Sequence, residues 1–160
     1  MINLLNSFKW AASGFIFVVR YERNMRIHIV ATLYILYLLR FYELTRAEVI
    51  LLILTCVLVM VLEMLNTAIE VIVDKVSPRY HTLAKIAKDA AAGAVLLASG
   101  AAVVVGVLLL WDTAVFNEIC DYFSARIINL IILLISTALA LIFIYSGKQR
   151  KKRRVRKSDD

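Results

Sequence analysis

Apolar residues along this chain run in long blocks interrupted by short polar clusters, and the blocks set the expected elements. Residues 2–20, "INLLNSFKWAASGFIFVVR", mix apolar positions at helical spacing with Asn3, Asn6, Lys9 and Ser13. Aromatics at Phe8, Trp10, Phe15 and Phe17 favour an amphipathic helix lying on a membrane surface over a disordered terminus. After the cluster "RYERNMRIH", the block "IVATLYILYLLRFYEL" predicts a first spanning helix. It is short for a bilayer unless Arg26 and Arg40 snorkel to the two faces. A second span is expected from about Val49 to Val73. Ser77-Pro78 reads as an N-cap and first helical position, opening a helix with no breaker before Trp111. That helix would be roughly 50 Å long against a bilayer core of about 30 Å, so its first turns should stand in water and its span should begin near Asp89. "DTAVFNEICDYFSAR" reads as an acidic loop, and "IINLIILLISTALALIFIY" as a fourth span ahead of a basic tail.

The expected fold class is therefore an all-α polytopic membrane protein: a surface helix, three core transmembrane helices and one additional C-terminal transmembrane helix. Residues 1–111 form the expected core, and 112–160 the outer loop, fourth span and tail. The composition agrees, with 62% hydrophobic and 19% charged residues. A net charge of +7 invites a nucleic-acid reading, but the tail "GKQRKKRRVRKSDD" holds eight of the 19 basic residues. A basic run directly after an apolar helix marks the cytoplasmic face and its anionic lipids. Lys9, Arg20, Arg23 and Arg26 lie on the same side of four spans as Lys75, Arg79, Lys85 and Lys88 and the tail. Both termini are expected on the cytoplasmic side of the membrane. Cys56 and Cys120 make no disulfide framework, and the N-terminus lacks the pattern of a cleavable signal peptide.

The second span carries the chemistry. Glu63, Asn66, Glu70 and Asp74 are spaced 3, 4 and 4, within an arc of roughly 80° on one helical face. A polar seam between helices would account for Asn66 alone. Three carboxylates on one face are costly in lipid unless they meet a cation, protons or water. Mg²⁺ suits them, because it takes one or two carboxylates together with phosphate oxygens and water. His81, Lys85 and Lys88 follow on one face of the next helix, with Arg79 nearby, as a cradle for phosphates or as an ordinary positive flank. Asp89 and Glu22 add carboxylates at the same level. Acids for Mg²⁺ and bases for phosphates, set at a lipid–water boundary, suggest phosphoryl chemistry on a lipid headgroup. No phosphate-binding glycine loop and no H-E-x-x-H motif occurs.

"ExxNTAIExxVD" at Glu63–Asp74, followed by "AKDAAAGAVL" at Ala87–Leu96, resembles the signature of the small prokaryotic integral-membrane diacylglycerol kinases. "YERNMRIH" at Tyr21–His28 is similar to the undecaprenol kinase branch of that family, and the likeness covers about residues 1–111. The resemblance implies a homotrimer with composite sites at subunit interfaces, and MgATP-dependent phosphorylation of a lipid alcohol. It implies Glu63 as catalytic base and Glu22 and Glu70 as metal-binding acids that also meet the nucleotide. Arg79, Tyr80, His81, Lys88 and Asp89 would contact the nucleotide, Asn66 would help arrange the site, and Asp74 is a motif acid of open role. Asn3 stands where the diacylglycerol branch has a basic residue. Undecaprenol is the expected substrate and diacylglycerol the runner-up. A non-catalytic scaffold or cation-binding subunit is the reading from another class. A transporter fits less well, because discontinuous midplane helices are missing.

Overall fold

The computed structural model describes residues 2–77 and 81–147. Arg79, Tyr80, the side chain of Asn3 and the tail from 148 to 160 lie outside the described residues. Among the described residues six α-helices follow in order: α1 (Ile2–Tyr21), α2 (Arg23–Leu38), α3 (Arg46–Val76), α4 (Thr82–Leu110), α5 (Thr113–Ser124) and α6 (Ile127–Tyr145). A 3₁₀ turn, Leu39–Phe41, extends α2, and no strand occurs among the described residues. The all-α polytopic expectation holds.

Among the described residues three helices, α3, α4 and α6, are long and apolar enough to cross a membrane. The expected first span corresponds to α2, whose 16 residues are short by themselves. With the 3₁₀ turn it reaches about 30 Å, the thickness of a bilayer core. The two arginines expected to snorkel from it behave differently. Arg40 stacks over the rings of Tyr37, Phe41 and Tyr122 at 4.2, 4.6 and 4.5 Å. Arg26 does not reach solvent; it is 5% exposed, beneath the end of α6.

α3 starts where a capping box fixes the chain. The Thr45 N–H donates to Glu48 Oε2 at 2.7 Å, and the Glu48 N–H donates back to Thr45 Oγ1. Its 31 residues give about 46 Å, so it overshoots the bilayer core and carries its last turns beyond it. Here one expectation fails. Ser77 closes α3 as its C-cap, donating its N–H to Val73 O at 2.8 Å, and does not open the next helix. α4 begins at Thr82 with His81 as N-cap and has 29 residues. The apolar periodicity of α3 persists through Val76, which carries the helix right up to the Ser-Pro pair and makes Ser77 its end.

The acidic stretch after Trp111 is also not a loop. Asp112 caps it, accepting from the Ala114 and Val115 N–H groups at 2.8 and 3.4 Å, and α5 follows. Its apolar side meets the outer end of α2: Tyr122 packs edge-on to Phe41, and Phe123 lies near Tyr37. α6 returns along α2, where the Tyr34 hydroxyl donates to Ser136 Oγ at 3.2 Å.

α3 and α4 form the main antiparallel pair, and α2 packs on α3. Few side chains are buried within one chain: Val18, Met25, Leu52, Val59 and Val95 make up the apolar core. None of the most apolar window of α6 is buried. A water-soluble chain could not leave so much apolar surface open; a bilayer or a neighbouring subunit covers it at no hydrophobic penalty.

Candidate active site

The site is built where α1 ends, α2 begins and the middle of α3 passes beneath them. Glu22 N–H closes α1 on Val18 O at 2.8 Å, and the extended backbone of Glu22 redirects the chain into α2. Its carboxylate does not cap the helix it opens. The turn sets the start of α2 against α3, and Met25 packs there with no exposed surface. That packing brings Glu22 and Asn24 to Glu63.

Glu63 is 2% exposed, among the most buried side chains of the protein. Glu22 and Glu70 both lie close enough to repel its charge, and the Asn24 side chain hydrogen-bonds to its carboxylate. Glu63 Oε2 remains enclosed with no hydrogen-bond partner. Asn66 Oδ1 is likewise enclosed and without a partner. Beside them Thr67, also 2% exposed, returns its hydroxyl to the Glu63 carbonyl at 3.0 Å and so takes no part in solvating the carboxylates. A buried acceptor left open is expensive, and such groups mark places where a ligand completes the arrangement.

Further down the same face the surroundings change. Asp74 Oδ1 receives an ion pair from Lys88 Nζ at 2.8 Å, across the α3–α4 pair. Both are open to solvent, Lys88 at 33% and Asp74 at 60% side-chain exposure. This gives Asp74, whose role the sequence left open, a defined partner. His81 and Asp89 are exposed on α4, and no side-chain bond joins them to the carboxylates among the described residues. Arg79 and Tyr80 lie outside the described residues.

The structure thus brings together Glu22, Glu63, Glu70 and Asn66 and sets Asp74 with Lys88 apart. Asn24 is the site residue that the sequence reading passed over. Its signal was its position within "YERN", two residues after Glu22 and so at the same membrane level. Among the described residues no three His, Cys, Asp or Glu side chains close into a cage for a metal. Mg²⁺ does not need one, since it binds through one or two carboxylates plus substrate phosphates. Glu22 and Glu70, the two carboxylates close enough to repel Glu63, fit that donor set.

Residues 9–110 match the family described as prokaryotic diacylglycerol kinase. The chain belongs to that family. It is 50% identical over 109 residues to a diacylglycerol kinase of Synechocystis sp., covering 68% of this chain and 62% of that protein. The undecaprenol kinase of Bacillus subtilis is 39% identical over 103 residues, covering 64% and 84%. The diacylglycerol kinase of Escherichia coli is 46% identical over 63 residues, covering 39% and 52%. The chain therefore spans less than two thirds of the Synechocystis relative's length. As a member of this lipid-kinase family it places the family region on α1 to α4, while α5, α6 and the tail lie past the matched residues.

Proposed function

We propose that this protein is a membrane lipid kinase that transfers the γ-phosphoryl group of ATP to the hydroxyl of a lipid alcohol, with Mg²⁺ as cofactor. The observation that carries the reading is the enclosed, partnerless oxygen of Glu63 between two further carboxylates. Family membership supports the reaction class. The names of the relatives leave two substrates, diacylglycerol and undecaprenol. The likeness of "YERNMRIH" to the undecaprenol branch favours undecaprenol, and diacylglycerol remains the alternative.

Glu63 is the general base. Its free oxygen accepts the proton of the lipid hydroxyl as that oxygen forms its bond to the γ-phosphorus and the bond to ADP breaks. Asn24 holds the other side of the carboxylate and fixes its orientation. Glu22 and Glu70 would hold Mg²⁺, which when bound would neutralise the phosphate charge. Glu70 lies about two turns, or about 10 Å, from Glu63 along α3, which leaves room for a phosphoryl group between base and metal. Asp74 and its partner Lys88 lie about 16 Å from Glu63 by the same rise, so Lys88 serves the nucleotide end of the row. His81, Asp89, Arg79 and Tyr80 complete that end. Asn66 Oδ1 offers a further acceptor inside the site.

A groove supports a lipid as acceptor. It starts at His28 and Val59, one turn from Asn24 and Glu63, and runs between α2, α3 and α4 to Trp111. Its volume is about 410 Å³, and Ala31, Ile35, Ala102 and Val103 give it an apolar lining. A lipid chain lying there would present its hydroxyl near Glu63. The reading includes a homotrimer, with active sites facing the cytoplasm.

The test is transfer of labelled γ-phosphate from MgATP, in mixed micelles, to undecaprenol and to diacylglycerol separately, with EDTA as control. Label in a lipid, abolished by EDTA, is expected, with undecaprenol labelled faster. Folded protein that labels neither lipid would contradict the reading.

A further inference from the structure

A second cleft, of about 450 Å³, lies between the end of α1, the start of α2 and the end of α6. One wall is polar, formed by Arg20, Arg26 and Ser146. The other is apolar, formed by Phe15, Ile16 and Phe143. Two of these residues, Phe143 and Ser146, belong with Gly147 to the C-terminal portion outside the family match.

Arg26 is the anomaly. It is 5% exposed, so its guanidinium is withdrawn from water. A guanidinium carries five N–H donors. Among the described residues Arg26 makes one bond, from Nη1 to the Phe143 carbonyl, and that bond is 3.4 Å long. Its Nε is enclosed with no hydrogen-bond partner. Among the described residues the one ion pair joins Lys88 and Asp74, so no carboxylate neutralises Arg26. A buried cation with a single long hydrogen bond is strongly unfavourable unless an anion meets it. The end of α6 approaches Arg26 so closely that a Cβ on Gly147 would fall on the guanidinium itself. Arg20, in the last turn of α1, adds a second guanidinium at the mouth.

Planar guanidinium groups match phosphate oxygens in paired hydrogen bonds. The apolar wall would be wasted on a small anion but suits the upper part of an acyl chain. The cleft sits where the amphipathic surface helix joins the spans, which is headgroup depth. We infer that this cleft binds the phosphate headgroup of an anionic membrane phospholipid, with Arg26 and Arg20 as headgroup ligands and Phe15, Ile16 and Phe143 against its chain. The inference does not depend on the phosphoryl-transfer reading. In it, α6 completes a lipid site that α1 and α2 alone leave open.

The experiment is native mass spectrometry of the full chain, delipidated and then given phosphatidylglycerol, phosphatidic acid or phosphatidylcholine. It is run after exchange from about 0.5 M salt, where loose attraction to the basic tail is screened. Wild type should retain about one anionic phospholipid per chain in preference to phosphatidylcholine, since only the anion meets both guanidinium groups. Arg26→Gln and Arg20→Gln should each weaken retention by about fivefold or more, the usual worth of a charge-assisted hydrogen bond. Arg20 is exposed, so its variant tests the site without disturbing packing. Gly147→Val, which keeps both charges but drives the Arg26 guanidinium from its place, should lose the preference as well. Retention of phosphatidylglycerol and of phosphatidic acid would each support a lipid phosphate and would show whether the headgroup must be a monoester. Equal retention of phosphatidylcholine would overturn the proposal. So would unchanged preference in both Arg20→Gln and Gly147→Val, or complete displacement of the lipid by millimolar inorganic phosphate.

Discussion

The polar face of α3 has two ends that differ in everything except their residue type. At the upper end Glu63 is 2% exposed, has two carboxylates for neighbours, and keeps one oxygen without a partner. At the lower end Asp74 is 60% exposed and already paired with Lys88. A carboxylate stabilises a fold when it is neutralised or hydrated; Asp74 is both, and Glu63 is neither. The difference separates a group kept for packing and orientation from a group kept in spite of its surroundings. Catalytic groups belong to the second kind, because their partners arrive with the substrate.

Substitutions along the face should follow that gradient. Glu63→Gln removes the proposed base with little change of shape, and turnover should fall by about a thousandfold, within the usual range for general-base catalysis. Glu22→Gln and Glu70→Gln should each lower turnover by about a hundredfold and raise the Mg²⁺ concentration needed for half-maximal rate. Titration with Mg²⁺ at saturating ATP checks this; an unchanged requirement in both would remove them as metal ligands. Asn24→Ala should lower kcat by about tenfold with little effect on KM for ATP, the loss expected for one hydrogen bond to a charged group. A rise in KM with unchanged kcat would place Asn24 elsewhere in the reaction. Asp74→Asn should have the smallest effect, at most about fivefold and chiefly on KM for ATP, since exposed ion pairs contribute little. If Asp74→Asn matched Glu63→Gln, the two ends would be equivalent and the comparison would fail.

The contrast also marks what the chain discloses before it folds. The stripe from Glu63 to Asp74 is legible because carboxylates at helical spacing inside an apolar run have few reasons to be there. Asn24 is not legible in the same way. A polar residue among arginines just ahead of a span looks like ordinary interfacial flank, and only the packing of α2 on α3 brings it to Glu63. Ser77-Pro78 carries a strong start signal, yet the apolar face of α3 extends through Val76 and makes Ser77 a stop. α5 reads as a loop because its acids hide a short amphipathic repeat, although Asp112 is a good N-cap residue. Arg26 is the hardest. Its sequence position says snorkelling, and only the return of α6 over α2 covers it. Contacts between distant helices leave no periodicity to find.

The central claim is that Glu63 is buried for chemistry and not for stability. The direct measurement is turnover and thermal unfolding of Glu63→Gln and wild type, in the same detergent, with EDTA present for the unfolding arm. Removing a buried charge that faces two like charges should leave the unfolding midpoint equal or raise it, while phosphate transfer is lost. A variant that keeps turnover, or one that loses stability along with activity, would contradict the account.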